Sequence, residues 1–192
     1  MIKSKPQSSA PKKGIEVICG SMFSGKTKLL IEKIKHFKEN NYSVRVFKPE
    51  FDIRYGNKKI VSHDNKETYA IPVKKSYDII TTSKASDIIA IDEAQFFDKD
   101  IIKVCKSLSK EKLIIIAGLD MDFLGNGFGP MPSLMNIANK ITRLHAICDI
   151  CSGKAYHTYR KSSVKNKILL GEKEDYLALC KKCFNKNTTK NV

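Results

Sequence analysis

Three groups of residues in this 192-residue chain have the types and spacing to do chemistry. The first is Gly20-Ser21-Met22-Phe23-Ser24-Gly25-Lys26-Thr27, which satisfies every fixed position of G-x-x-x-x-G-K-[ST]. Glycines at both ends let the backbone curl so that successive N–H groups point at phosphate oxygens, and the following helix N-terminus adds partial positive charge. Lys26 is placed for the β- and γ-phosphates and the Thr27 hydroxyl for Mg²⁺. The second group is Asp92-Glu93, directly after the apolar run Ile88-Ile89-Ala90-Ile91. In a phosphate-loop enzyme such an Asp stands beside Mg²⁺, often through a water, and Glu93 is a candidate general base. The bland alternative is a pair of acids at the start of the next helix. The third group is two C-x₂-C knuckles, Cys148/Cys151 and Cys180/Cys183, with 28 residues between them. Four thiolates fill the tetrahedral sphere of Zn²⁺, which makes the site structural; two disulfides or a redox motif are the alternatives.

The elements that must position these groups are legible from periodicity. Ile15 to Cys19 is a short buried strand, and Thr27 to Glu39 is a helix with Leu30, Ile31, Ile34 and Phe37 on one face. Strands follow at Ser43–Lys48, Ile88–Asp92 and Leu113–Ala117, with an amphipathic helix over Asp98–Leu108 and a shorter helical stretch over Asp78–Lys84. Continuous β-branched runs alternating with helices predict an α/β fold, a parallel sheet covered by helices on both faces. Residues 50–76 are polar and predict a mobile excursion with one hairpin. After the Gly/Pro-rich loop Gly125–Pro132, a helix over Ser133–Lys140 and a strand over Ile141–Ile147 lead into the cysteines. Cys19 and Cys105 sit alone in apolar segments as small core fillers. Phe96 and Phe97 are core residues or the wall of a base-sized pocket; the pattern leaves these even.

The expected organisation is a disordered leader over 1–13, a nucleotide-binding domain over 14–147, a zinc-binding lobe over 148–184 and a flexible tail over 185–192. The leader lacks the apolar segment of a secretory signal, and no apolar run approaches a membrane span, so the cytoplasm is the expected location. The formal charge of +15 invites a nucleic-acid partner. Only Arg45, Arg54, Arg143 and Arg160 are arginines, however, and the lysines are spread from end to end. Bidentate recognition of phosphate and guanine favours Arg, so the charge is assigned to solvated surface, and neither nucleic acid nor membrane is an expected partner.

Together these segments resemble one family, the type II thymidine kinases, which are small cytosolic deoxynucleoside kinases with a zinc-binding lobe. The resemblance runs from about Gly14 to Phe184. It rests on the phosphate loop with its Met22-Phe23-Ser24 centre, on Asp52-Ile53-Arg54-Tyr55 followed by His63-Asp64, and on Asp92-Glu93-Ala94-Gln95-Phe96-Phe97. It also rests on Gly118-Leu119-Asp120-Met121-Asp122-Phe123 and Phe128-Gly129-Pro130. Asn126-Gly127 precede Phe128 where the family usually has a proline.

The resemblance implies a RecA-like phosphate-loop core plus a small lobe whose lasso loop, here about Lys161 to Tyr176, closes on thymidine. It implies Glu93 as catalytic base. It implies ATP with Mg²⁺ on Gly20, Ser21, Met22, Phe23, Ser24, Gly25, Lys26, Thr27, Asp52, Arg54, Asp92 and Gln95. The nucleoside would meet Met22, Phe96, Leu119, Phe123, Thr158 and Tyr176, with backbone groups of Leu169, Leu170 and Gly171 reading the base edge. Structural Zn²⁺ would sit on Cys148, Cys151, Cys180 and Cys183, and the assembly would be a homotetramer. The expected reaction is phosphorylation of the thymidine 5′-hydroxyl, with deoxyuridine as a second substrate. Alternatives from other classes are a zinc-bearing ATPase that binds nucleic acid and a nucleotide-binding regulator without turnover.

Overall fold

The computed structural model describes residues 11–53, 56, 58–62, 64–161 and 174–188. Six parallel strands form the main sheet: β1 (Gly14–Gly20), β2 (Val44–Pro49), β5 (Ile71–Val73), β6 (Ile88–Ile91), β7 (Leu113–Gly118) and β8 (Lys140–Leu144), in the order β5-β2-β6-β7-β1-β8. Every residue of β6 and β7 is buried. That is why these strands read as unbroken Ile-rich runs: a parallel strand covered on both faces has no solvent side to keep polar.

Helices cover both faces, as expected. On one face α1 (Lys26–Glu39) packs Leu30, Ile31 and Ile34 against Ile18, Ile88, Ala90 and Ile115. On the other, α2 (Asp78–Thr82), α3 (Ile101–Leu108) and α4 (Met131–Asn136) bring Ile79, Ile101, Val104, Cys105, Met131 and Leu134 against Val17, Ile89, Ile91, Ile114 and Ile116. Each such aliphatic side chain removed from water contributes about 1.5–3 kcal/mol. Cys19 and Cys105 are fully buried members of this second core, and burial pushes their thiols up, to about 11 and about 12.

Several segments differ from expectation. The excursion at 50–76 does hold one hairpin, β3 (Lys59–Val61) with β4 (Glu67–Tyr69), but it also contributes β5 to the main sheet. Three residues with a central Pro72 carry almost no strand signature; they pair because an edge strand tolerates a missing N–H. Helix α4 starts earlier than Ser133, because Pro132 fits the first turn, and ends at Asn136. The strand expected over Ile141–Ile147 breaks at His145. Residues Ala146–Ile147 form β9, which leaves the sheet to pair antiparallel with β10 (Lys154–Ala155).

The cysteine lobe continues with the antiparallel pair β11 (His157–Arg160) and β12 (Tyr176–Leu179), then α5 (Lys181–Thr188). Helix α5 carries regular structure beyond Phe184, so Asn185–Thr188 are helical where a flexible tail was expected. The lobe core is small: Ala146, Cys148, Ala155, Ala178, Leu179 and Phe184. Residues 1–10 of the expected leader, 189–192 of the tail and 162–173 of the lasso lie outside the described residues.

Candidate active site

The phosphate loop leaves β1 at the carboxyl edge of the sheet, where open α/β folds take their ligands. Gly20 has φ +142°, and a Cβ there would lie 2.3 Å from the Leu144 carbonyl oxygen, so no side chain fits. Phe23 takes a left-handed φ of 63° within the curl, and Gly25 (φ 83°) opens α1. The Ser21 carbonyl gathers the loop, accepting from Lys26 Nζ at 2.7 Å and from Ser24 Oγ at 2.8 Å. Burial pushes the Lys26 ammonium down from its ordinary value, and the carboxylates of Glu93, Asp92 and Asp120 oppose that shift.

The acids after β6 come to the same place although β7 separates β6 from β1. The Thr27 hydroxyl donates to the Asp92 carboxylate at 3.1 Å. A hydroxyl and a carboxylate meeting at one point beside a phosphate loop suit Mg²⁺. Glu93 follows with φ 53° and ψ 41°, a left-handed conformation that costs a non-glycine residue about 1–3 kcal/mol and is found where function requires it. The bend turns the chain out of the strand into a 3₁₀ turn, Ala94–Phe96. Gln95, placed by resemblance among the ATP contacts, is buried in this turn, with its amide on the Glu93 carboxylate and on the Leu119 N–H. Asp52 is buried in the turn after β2, its N–H on the Pro49 carbonyl at 3.1 Å. Arg54 lies outside the described residues.

The cysteine lobe is bolted onto the phosphate loop. Ser21 Oγ donates to the Ala155 carbonyl at 3.0 Å, and the Met22 N–H donates to Thr158 Oγ1 at 3.0 Å. Phe23 packs against the lobe core. The Sγ atoms of Cys148, Cys151, Cys180 and Cys183 all lie within 4.8 Å of one another. Cys151 and Cys180 are 3.6 Å apart, close to the separation of about 3.8 Å that a tetrahedron of 2.3 Å Zn–S bonds requires and far beyond a disulfide. All four are free thiols. Burial raises the Cys148 thiol, but backbone N–H groups outweigh it and hold it down, and the Cys183 N–H lowers Cys180 likewise. The Gly153 N–H opposes a rise at Cys151 but neighbouring sulfurs outweigh it, and burial with those sulfurs pushes Cys183 up, so the case for a metal rests on the geometry of the four sulfurs. The donor set fits structural zinc.

The residues expected at the nucleoside fall into two groups. Thr158 is buried on β11 beside Arg160, which was not among the expected residues, and the two face the phosphate loop and β12, where Tyr176 is buried. The Arg160 guanidinium lies 3.8 Å from the Phe123 ring centroid and donates to Tyr176 Oη at 3.0 Å. Met22, Phe123, Thr158 and Tyr176 therefore converge. Phe96 closes the Ala94–Phe96 turn and Leu119 meets it through Gln95, with the Phe96 ring edge-on to Phe51 and Phe128 at 5.2 and 5.4 Å. Phe97 belongs to the core and Phe96 is half-buried; both border a cleft of about 230 Å³ between β2 and β5, which none of the other expected nucleoside residues lines. Leu169, Leu170 and Gly171 lie outside the described residues.

Sequence reasoning gave no role to Arg160 or Asp120. Asp120 is buried; one oxygen takes the Arg143 guanidinium at 2.9 Å, and the other has no hydrogen-bond partner among the described residues. A lone Arg in a short strand carries no spacing signal, whereas Asp120 stands in the Gly118–Phe123 segment that carries the resemblance and could have been singled out there.

Sheet order, phosphate loop, strand-end acids and thiolate cluster define the class: a phosphate-loop nucleotide-binding protein with a four-cysteine lobe fit for a metal. The family model described as thymidine kinase matches residues 13–184. A thymidine kinase of Bacteroides thetaiotaomicron is 46% identical over 171 residues, covering 88% of this chain and 86% of the relative. One from Porphyromonas gingivalis is 43% identical over 90% of this chain and 85% of the relative, and one from Rhodothermus sp. is 41% identical over 88% and 80%. The chain belongs to the thymidine kinase family.

Proposed function

We propose that the protein transfers the γ-phosphoryl group of ATP to the 5′-hydroxyl of thymidine, and of deoxyuridine less efficiently, giving the nucleoside monophosphate and ADP. The observation that carries this is the Thr27–Asp92 contact, which sets Glu93 one residue from the phosphate site. The loop N–H groups and Lys26 bind the phosphates; Thr27 and Asp92 would hold Mg²⁺, which would supply charge to offset that of the transferring group. Glu93 accepts the proton of the 5′-hydroxyl as its oxygen bonds to γ-phosphorus and the bond to the ADP oxygen breaks. Most of the acceleration in such a transfer comes from alignment and charge, which fixed side chains on rigid strand ends supply.

Met22, Phe96, Leu119, Phe123, Thr158 and Tyr176 form the nucleoside site, with Leu169, Leu170 and Gly171 reading the base edge. Asp52 and Arg54 belong to the nucleotide site. The protein works in the cytoplasm as a homotetramer. The family resemblance supports both the compartment and the assembly. Among the described residues no helix is long and apolar enough to cross a membrane.

The test is Glu93→Gln, which keeps shape and removes the base. Turnover with thymidine falls about 10²- to 10⁴-fold while ATP still binds. Near-normal turnover, or ATP hydrolysis stimulated by single-stranded DNA and indifferent to thymidine, overturns the proposal.

A further inference from the structure

Gln95 is 2% exposed, at the centre of the 3₁₀ turn. Its side-chain carbonyl accepts from the Leu119 N–H at 2.9 Å, and its amide nitrogen donates to Glu93 Oε2 at 2.5 Å. The first bond dictates the second. A backbone N–H can only donate, so the carbonyl end of the amide must face Leu119 and the NH₂ end must face Glu93. The surrounding backbone fits this one placement closely. A Cβ on Gly118 would lie 2.8 Å from Gln95 Oε1, and one on Gly129 would lie 2.0 Å from the Gln95 backbone carbonyl oxygen, so both the amide and the turn that carries it are closely packed. Gly129 also has φ +53°, so glycine answers both demands there.

We infer that Gln95 is a positioning residue for the reaction: its amide pins the Glu93 carboxylate to the end of β7. The inference rests on Glu93 being the base. Glu93 sits on a left-handed bend, where its side chain could take several rotamers. The donated hydrogen bond restricts that choice by holding Oε2 against the Gln95 amide. Leu119, the other end of the clamp, belongs to the proposed nucleoside wall. Base and wall are thereby fixed in one register, although β6 and β7 carry them separately.

The experiment is a double-mutant cycle on the full chain. Gln95→Met, Glu93→Gln and the double variant are assayed for kcat, thymidine KM and ATP binding, with thermal unfolding as the control for folding. Met matches the volume of Gln without the amide. Displacing a catalytic group by an ångström costs about 10²-fold, so Gln95→Met lowers kcat by about 10- to 100-fold with ATP affinity retained. In the Glu93→Gln background the same change lowers kcat no further, because the group it positions is already gone. Losses that multiply in the double variant, or normal kcat in Gln95→Met, overturn the clamp and leave the base assignment standing. Normal kcat in Glu93→Gln alone removes the base assignment, and the clamp with it. If Gln95→Met does not fold, Gln95→Asn, whose shorter amide cannot span both partners, replaces it in the same cycle with the same expected result.

Discussion

Lys26 shows how one side chain draws its role from its neighbours. It is a cation of the phosphate loop, and in this structure its ammonium rests on the Ser21 carbonyl. Glu93, Asp92 and Asp120 surround it and oppose the effect of burial. A fixed cation aimed at developing negative charge contributes more in the transition state than in the ground state. Lys26→Ala is therefore expected to lower kcat by at least about 10²-fold, the scale of losing one preorganised donor. Thymidine binding, followed by calorimetry, persists. Loss of thymidine binding in a folded Lys26→Ala protein would contradict the assignment of the loop to the phosphates.

Among the elements, the join between phosphate loop and cysteine lobe has the clearest consequence. The Met22 N–H has its partner in Thr158 Oγ1, on a strand 136 residues further along the chain. Thr158→Val keeps the shape and removes that acceptor. A part-buried N–H left unmatched costs about 1–3 kcal/mol. The loop conformation that binds phosphate carries that cost, so ATP affinity is expected to weaken about tenfold, equivalent to about 1.4 kcal/mol. Calorimetric ATP titration of both proteins measures it, and unchanged affinity would show that the loop holds its shape without the lobe.

For the whole molecule, metal and specificity are linked through the lobe. Its core is too small to fold unaided, so thiolate ligation and folding are expected to be coupled. Cys151→Ser should release the zinc, about one ion per chain in the parent. It should also weaken ATP binding, because Ser21 and Met22 are anchored to β10 and β11. Elemental analysis alongside ATP titration tests both, and full zinc content in the variant would reject the four-cysteine site. Specificity is expected to follow the hydrogen-bonding edge of the base. Thymine and uracil share an imide face that cytosine lacks. A site left with unmatched buried polar groups rejects such an analogue by up to about 10⁴- to 10⁵-fold, whereas a missing methyl costs about 1–3 kcal/mol. Comparable kcat/KM for thymidine and deoxycytidine would replace thymidine specificity with a broader deoxynucleoside kinase.

What the sequence determined by itself is local. The phosphate loop, the acids at the end of β6 and the two C-x₂-C knuckles are short, contiguous patterns whose chemistry depends on neighbours within a few residues. The fully buried strands β6 and β7 were equally legible, because burial on both faces writes itself as an unbroken apolar run. Tertiary structure decided the rest. It seated β5, three residues with a central proline, at the sheet edge. It separated Phe97 into the core from the half-buried Phe96. It brought Thr158 to Met22, Arg160 to Phe123 and Gln95 to Leu119, across separations that no spacing pattern encodes. Hydrogen bonds and ring contacts of that kind depend on where strands lie in the sheet, and strand order is a property of the folded chain as a whole.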